Sequence, residues 1–91
     1  MKSVKLMELN TDTGEVEVAG VVRYDGHRLV VDPPSLSWVL EDVRDRPSGE
    51  VVNSDAEPER ALELLFVNIH GSYFWATPVV EDSRQDTGTP G

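Results

Sequence analysis

The residues best equipped for chemistry are two histidines, His27 and His70, a surplus of carboxylates, and two arginines, Arg23 and Arg28, that flank the dipeptide Asp25-Gly26. A zinc site needs three or four ligands, and Asp25 or Asp32 would have to converge on a histidine in three dimensions, which no local spacing indicates. The chain has no cysteine and no His-x-x-x-His or His-Glu-x-x-His spacing, so neither histidine is assigned to a metal. His27 sits beside a turn, and His70 sits where a partial positive charge suits a helix C-terminus. The stretch Asn10-Thr11-Asp12-Thr13-Gly14-Glu15 has the oxygen-rich look of a calcium loop. It departs from the EF-hand pattern at its fifth position, a glycine, and has no flanking helices, so it reads as a hairpin turn.

Catalytic signatures are equally thin. No serine lies in a Gly-x-Ser-x-Gly elbow, and glycines 14, 20, 26, 49 and 71 are scattered turn formers rather than a phosphate cradle. The carboxylate pairs Glu41-Asp42 and Glu81-Asp82 are adjacent, a spacing that does not make helix neighbours face each other. No catalytic residue, cofactor or metal is assigned, and a non-enzymatic protein is expected.

Arg23 and Arg28 form the first candidate constellation. If Asp25-Gly26 is a two-residue hairpin loop, Tyr24 faces His27, Arg23 faces Arg28, Val22 faces Leu29 and Gly20 faces Val31. Like charges directly opposite on a sheet repel unless carboxylates or solvent relieve them. That expectation makes Arg23 and Arg28 a candidate anion contact. It also supports a minor reading as a small ligand-binding or enzymatic domain near Arg23, Arg28 and His27.

The second constellation is aromatic. Tyr73, Phe74 and Trp75 are consecutive, so in a strand Phe74 points away from the face carrying Tyr73 and Trp75. Trp38 falls off the apolar stripe of its own predicted helix. Tryptophan and tyrosine offer large rigid apolar area at binding hot spots. Trp38, Phe74, Trp75 and Tyr73 are therefore the candidate partner-binding residues, for a protein partner or a second copy of the chain. The competing reading is that two layers simply sandwich this strand.

The elements that must position these residues follow from periodicity. Val4–Leu9 reads as a strand. Glu15-Val16-Glu17-Val18 alternates and continues through Tyr24, with Gly20 a bulge site, and His27–Asp32 returns as a third strand. Val16, Val18, Gly20, Val22, Leu29 and Val31 are expected on one apolar face. The other face, with Ala19, Val21 and Val30 among charged residues, is not cleanly polar. Pro33-Pro34 ends the meander, and Leu36, Val39, Leu40 and Val43 make a helical stripe over residues 35–43. A second helix is expected from a Ser54 or Asp55 cap to His70-Gly71, with Gly71 supplying a left-handed C-cap. Ser72–Thr77 reads as a final strand.

Together these predict an α+β fold of order β-β-β-α-α-β: an antiparallel three-stranded meander, two short helices packed on one face, and a last strand rejoining the sheet. Residues 1–80 are expected to form one domain and residues 81–91 a loose acidic tail. The 91 residues carry a formal net charge of −9, which disfavours direct nucleic-acid binding and anionic membranes. No apolar run is long enough to span a membrane and the first residues lack a leader-like core, so a cytoplasmic location is expected. The leading expectation is an interaction module that self-associates or docks a partner through an aromatic patch. A second, resting on charge alone, is an acidic mimic of nucleic acid that occupies a DNA- or RNA-binding protein.

Overall fold

The computed structural model describes residues 2–81. Their order is β1 (Lys2–Leu9), β2 (Val16–Tyr24), β3 (Leu29–Asp32), a 3-10 helix (Pro34–Leu40), α1 (Pro58–Asn68), β4 (Phe74–Ala76) and β5 (Val80–Glu81). The fold is α+β: an antiparallel meander, two helices, and a closing strand that rejoins the sheet beside the first strand. Sheet order is β3-β2-β1-β4, with β5 also on β1. Thr77 bridges β4 and β5: its N–H donates to the Lys5 carbonyl (2.9 Å) and its Oγ1 accepts from the Lys5 N–H (3.0 Å). Pro78, which has no N–H to offer a ladder, falls in that break. Glu81, expected in the tail, is in β5. The rest of the expected tail lies outside the described residues.

Both helices cover the same face. Val4 and Leu6 of β1, Val22 of β2, Val31 of β3 and Ala76 of β4 meet Val39 of the 3-10 helix and Ala61, Leu62 and Leu65 of α1 in one buried cluster, joined by Val43 and Val52 from the connecting loop. Each buried leucine or valine contributes roughly 1.5–3 kcal/mol. No polar side chain among the described residues is buried. Gly20 lets the 3-10 helix close on the sheet, because a Cβ there would lie 2.7 Å from the Asp32 carbonyl oxygen and 2.7 Å from Leu36 Cδ1.

Several local expectations are corrected. The β2–β3 loop is four residues long, not two: Tyr24 pairs with Leu29, Arg23 with Val30 and Val22 with Val31. The Asp25 carboxylate is the reason, since its Oδ1 accepts the backbone N–H of His27 (2.8 Å) and of Arg28 (2.9 Å). Those bonds turn His27 and Arg28 into loop residues. Val16 and Val18 do not join the core face. A bulge between Leu6 and Met7 pairs Leu6 with Gly20 but Met7 with Val18, leaving Ala19 as the extra residue and reversing the alternation beyond it.

The first helix is a short 3-10 helix rather than an α-helix through Val43. Val43 is still buried, carried by an extended segment whose carbonyl accepts the Val52 N–H at 2.7 Å. α1 starts later than expected because Asn53, not Ser54 or Asp55, holds the preceding turn: its Oδ1 accepts from the N–H of Asp55 and Ala56. Gly71 is not left-handed. Its role is close approach, with a Cβ meeting the Phe74 carbonyl at 3.0 Å.

Candidate functional site

The face of the sheet opposite the helices can be laid out from the register. Alternation puts Val4 and Leu6 inward, so Ser3, Lys5, Met7 and Leu9 of β1 point outward. Ladder partners share their side. Ser3 is flanked by Arg23 and Val80, and Lys5 by Val21 and Thr77. Met7 is flanked by Val18 and Trp75, and Leu9 by Val16 and the Tyr73 position, whose carbonyl accepts the Leu9 N–H. Val30 and Asp32 extend the first two rows onto β3.

The two halves of this face differ in chemistry. The half nearer the Asn10–Glu15 turn is an unbroken apolar block of Met7, Leu9, Val16, Val18, Tyr73 and Trp75. Val16 and Val18 are each 52% exposed and Tyr73 62%. The other half mixes Val21, Val30 and Val80 with Lys5, Arg23, Ser3, Thr77 and Asp32. No helix among the described residues packs on this face.

The four aromatic candidates do not form one patch. Phe74 shares the inward side with Leu6 and Ala76, and Trp38 reaches it from the 3-10 helix, with ring centroids 5.5 Å apart. The two rings border an open groove of about 560 Å³ that includes Glu8, Ala19, Pro33 and Leu36. Trp38 remains 49% exposed there. Tyr73 and Trp75 lie on the outer face. Sequence reasoning separated Phe74 from its neighbours correctly but missed Met7, Leu9, Val16 and Val18 as surface residues. The alternation around Glu8 was the available signal.

Arg23 and Arg28 are not opposite each other, so the repulsion that nominated them is absent. Arg23 is on the outer face beside Ser3, while Arg28 and His27 are in the four-residue loop. Among the described residues no three histidine, aspartate or glutamate side chains gather closely enough to hold a metal ion. No helix of the described residues is long and apolar enough to cross a membrane.

The helix side is electrostatically knitted. Lys2 Nζ lies 2.6 Å from Glu59 and 3.5 Å from Glu63, and its pKa is raised chiefly by the Glu59 hydrogen bond. Arg60 bridges to Asp45 at 2.6 Å and Glu57 at 3.1 Å, which raises its pKa further. Asp25 is held below the ordinary carboxylate value, first by the Arg28 N–H and then by that of His27. These groups are occupied in pairs and turns.

No family model matches the chain, and no curated protein or solved structure matches it either. The functional reading therefore rests on this geometry.

Proposed function

We propose that this chain is a non-enzymatic protein–protein interaction module whose docking surface is the helix-free face of its sheet. The observation carrying this reading is the contiguous block Met7, Leu9, Val16, Val18, Tyr73 and Trp75, lying side by side on β1, β2, β4 and the residue that precedes β4, with no covering helix among the described residues. Monomeric proteins rarely leave apolar patches beyond a few hundred Å² open to water without a use for them. Tyr73 and Trp75 supply the aromatic anchors typical of hot spots, and a rigid hydrogen-bonded sheet orders them before any partner arrives. The alternative of an acidic nucleic-acid mimic draws on the charge of −9, but this face presents Lys5 and Arg23 rather than a row of acids.

A photo-crosslinking residue at position 18, compared with one at position 67 on the exposed back of α1, tests the reading in native lysate. Crosslinked products from position 18 and few from position 67 are expected. Equal yields from both positions, or the reverse preference, would contradict it.

A further inference from the structure

Resting on the reading of this face as a docking surface, we propose that its occupant is a second copy of the same chain. The two copies pack face to face about a two-fold axis running across the strands between the Met7 and Leu9 rows. The juxtaposition that carries this is a cationic end, an apolar middle and an anionic end laid out in order along β1 and β2.

At one end of the apolar block stand Lys5 and, one row further, Arg23, two cations against the single acid of those rows, Asp32 on β3. Neither cation forms an ion pair among the described residues. At the other end is the Asn10–Glu15 turn. It is pinned by the Asn10 side chain, whose Oδ1 accepts from the N–H of Asp12 and Thr13, and it presents Asp12 to solvent, while Glu15, next to the outward Val16, falls on the helix side. The Asp12 carboxylate is likewise without a basic partner among the described residues. On a chain of net charge −9, cations with no ion pair among the described residues, standing beside this apolar block, select what can approach it.

A half-turn about an axis across the strands exchanges the two ends. Met7 of one copy then lies over Leu9 of the other, Val18 over Val16 and Trp75 over Tyr73. Lys5 of each copy is carried toward Asp12 of its partner, so the charge match occurs twice. An axis along the strands would instead set like rows over like rows, bringing the Lys5 and Arg23 of both copies together. A wholly acidic partner would match only the Lys5 end, and a wholly basic one only the turn. Self-complementarity of this kind is what an isologous interface requires.

Size sets the strength. The apolar block offers on the order of 400–500 Å² per copy, the scale of the largest patches on ordinary monomers. A standard stable interface takes about 800 Å² per partner. The charged ends must therefore take part, and the dimer is a reversible one with a dissociation constant of roughly 10–100 μM.

The test is sedimentation of the full chain from about 1 μM to 1 mM, a range spanning that constant. It is run on wild type, Val18→Lys, Lys5→Glu, Asp12→Lys, and the last two combined. All of these positions are exposed, and circular dichroism establishes that each variant is folded. Wild type is expected to pass from monomer to dimer, and Val18→Lys to stay monomeric. Each charge reversal alone should weaken association about tenfold or more, the combined variant recovering to within about threefold of wild type. Failure of the combination to recover would overturn the two-fold arrangement. Wild type that stays monomeric while position 18 still crosslinks another protein would overturn the second copy but leave the docking reading standing. A dimer indifferent to Val18→Lys would overturn the face-to-face arrangement, and the crosslinking comparison of positions 18 and 67 then decides the docking reading.

Discussion

Trp38 lies against Phe74 with ring centroids 5.5 Å apart and planes inclined at 36°. This tilted contact ties the 3-10 helix to the edge strand β4. It also uses Phe74 for the fold, leaving Tyr73 and Trp75 to the opposite face. Tilted aromatic pairs add about 0.5–1.5 kcal/mol beyond the area they bury.

A double-mutant cycle on Trp38→Ala and Phe74→Ala should therefore show coupling of about 1 kcal/mol in urea unfolding. Phe74→Ala, the more buried member, is expected to cost more than Trp38→Ala. Neither single variant, where still folded, should change association through the outer face. Loss of association in Trp38→Ala at unchanged fold would place the docking surface on the helix side instead.

Gly20→Ala is expected to destabilise by about 1–3 kcal/mol, the range for overpacking a filled core. The added methyl meets the Asp32 carbonyl at 2.7 Å, a backbone atom that cannot rotate away, as well as Leu36 Cδ1. Denaturant unfolding reads this directly. Gly14→Ala is a contrasting control, strained by φ +78 rather than by any neighbour, since nothing lies within 4 Å of its Cβ position.

Asp25 gives the fold a pH dependence of known sign. Its carboxyl is held below the ordinary value by the N–H groups of Arg28 and His27, so the unfolded chain binds that proton more readily. The contribution is fully present above the ordinary carboxylate range and is lost as pH falls through that range and below. Wild type should melt higher than Asp25→Asn near about pH 7, and the two should converge as the pH falls below the ordinary carboxylate range. Lys2 runs the opposite way: its pKa is raised, chiefly by Glu59, so its contribution is present at neutral pH and lost as pH climbs past the usual lysine range. A Lys2→Met variant should approach wild type in stability only at strongly alkaline pH.

The core and the outer face should respond oppositely to similar edits. Leu65→Ala, at a fully buried position on α1, is expected to cost about 3–5 kcal/mol out of a total of roughly 5–14 kcal/mol for a chain this long. Val18→Thr, half exposed on the outer face, should stay within about 0.5 kcal/mol in dilute solution. Urea titrations of both variants provide the comparison. A large loss for Val18→Thr in the monomer would mean that the face is covered from within.

Element order was legible because alternation in the strands and the 3.6-residue stripe of α1 are strong local signals. Val22 and Val31 could be assigned to the core face on pattern alone. Val16 and Val18 could not. They alternate perfectly, but one extra residue, Ala19, shifts their phase, and a bulge with no polar residue in it leaves the periodicity looking intact. The Arg23–Arg28 pairing failed for a different reason. Asp25-Gly26 is a strong two-residue turn signal, yet the same aspartate can reach two backbone N–H groups further on and hold a longer loop, and residue types alone do not rank those options. Glycine after a helix likewise suggested a left-handed cap, whereas Gly71 answers to the closeness of the Phe74 carbonyl, a contact between residues whose spacing only the folded chain sets.

Solvent accessibility of the valine methyls, read by NMR broadening from a soluble paramagnetic agent, bears on the docking face most directly. In dilute solution Val16 and Val18 should be broadened strongly and Val4 and Val22 hardly at all. As concentration rises, protection should grow at Val16 and Val18 while Val67 on the back of α1 stays accessible. Val16 and Val18 methyls already shielded in the dilute monomer would contradict an open, partner-seeking face.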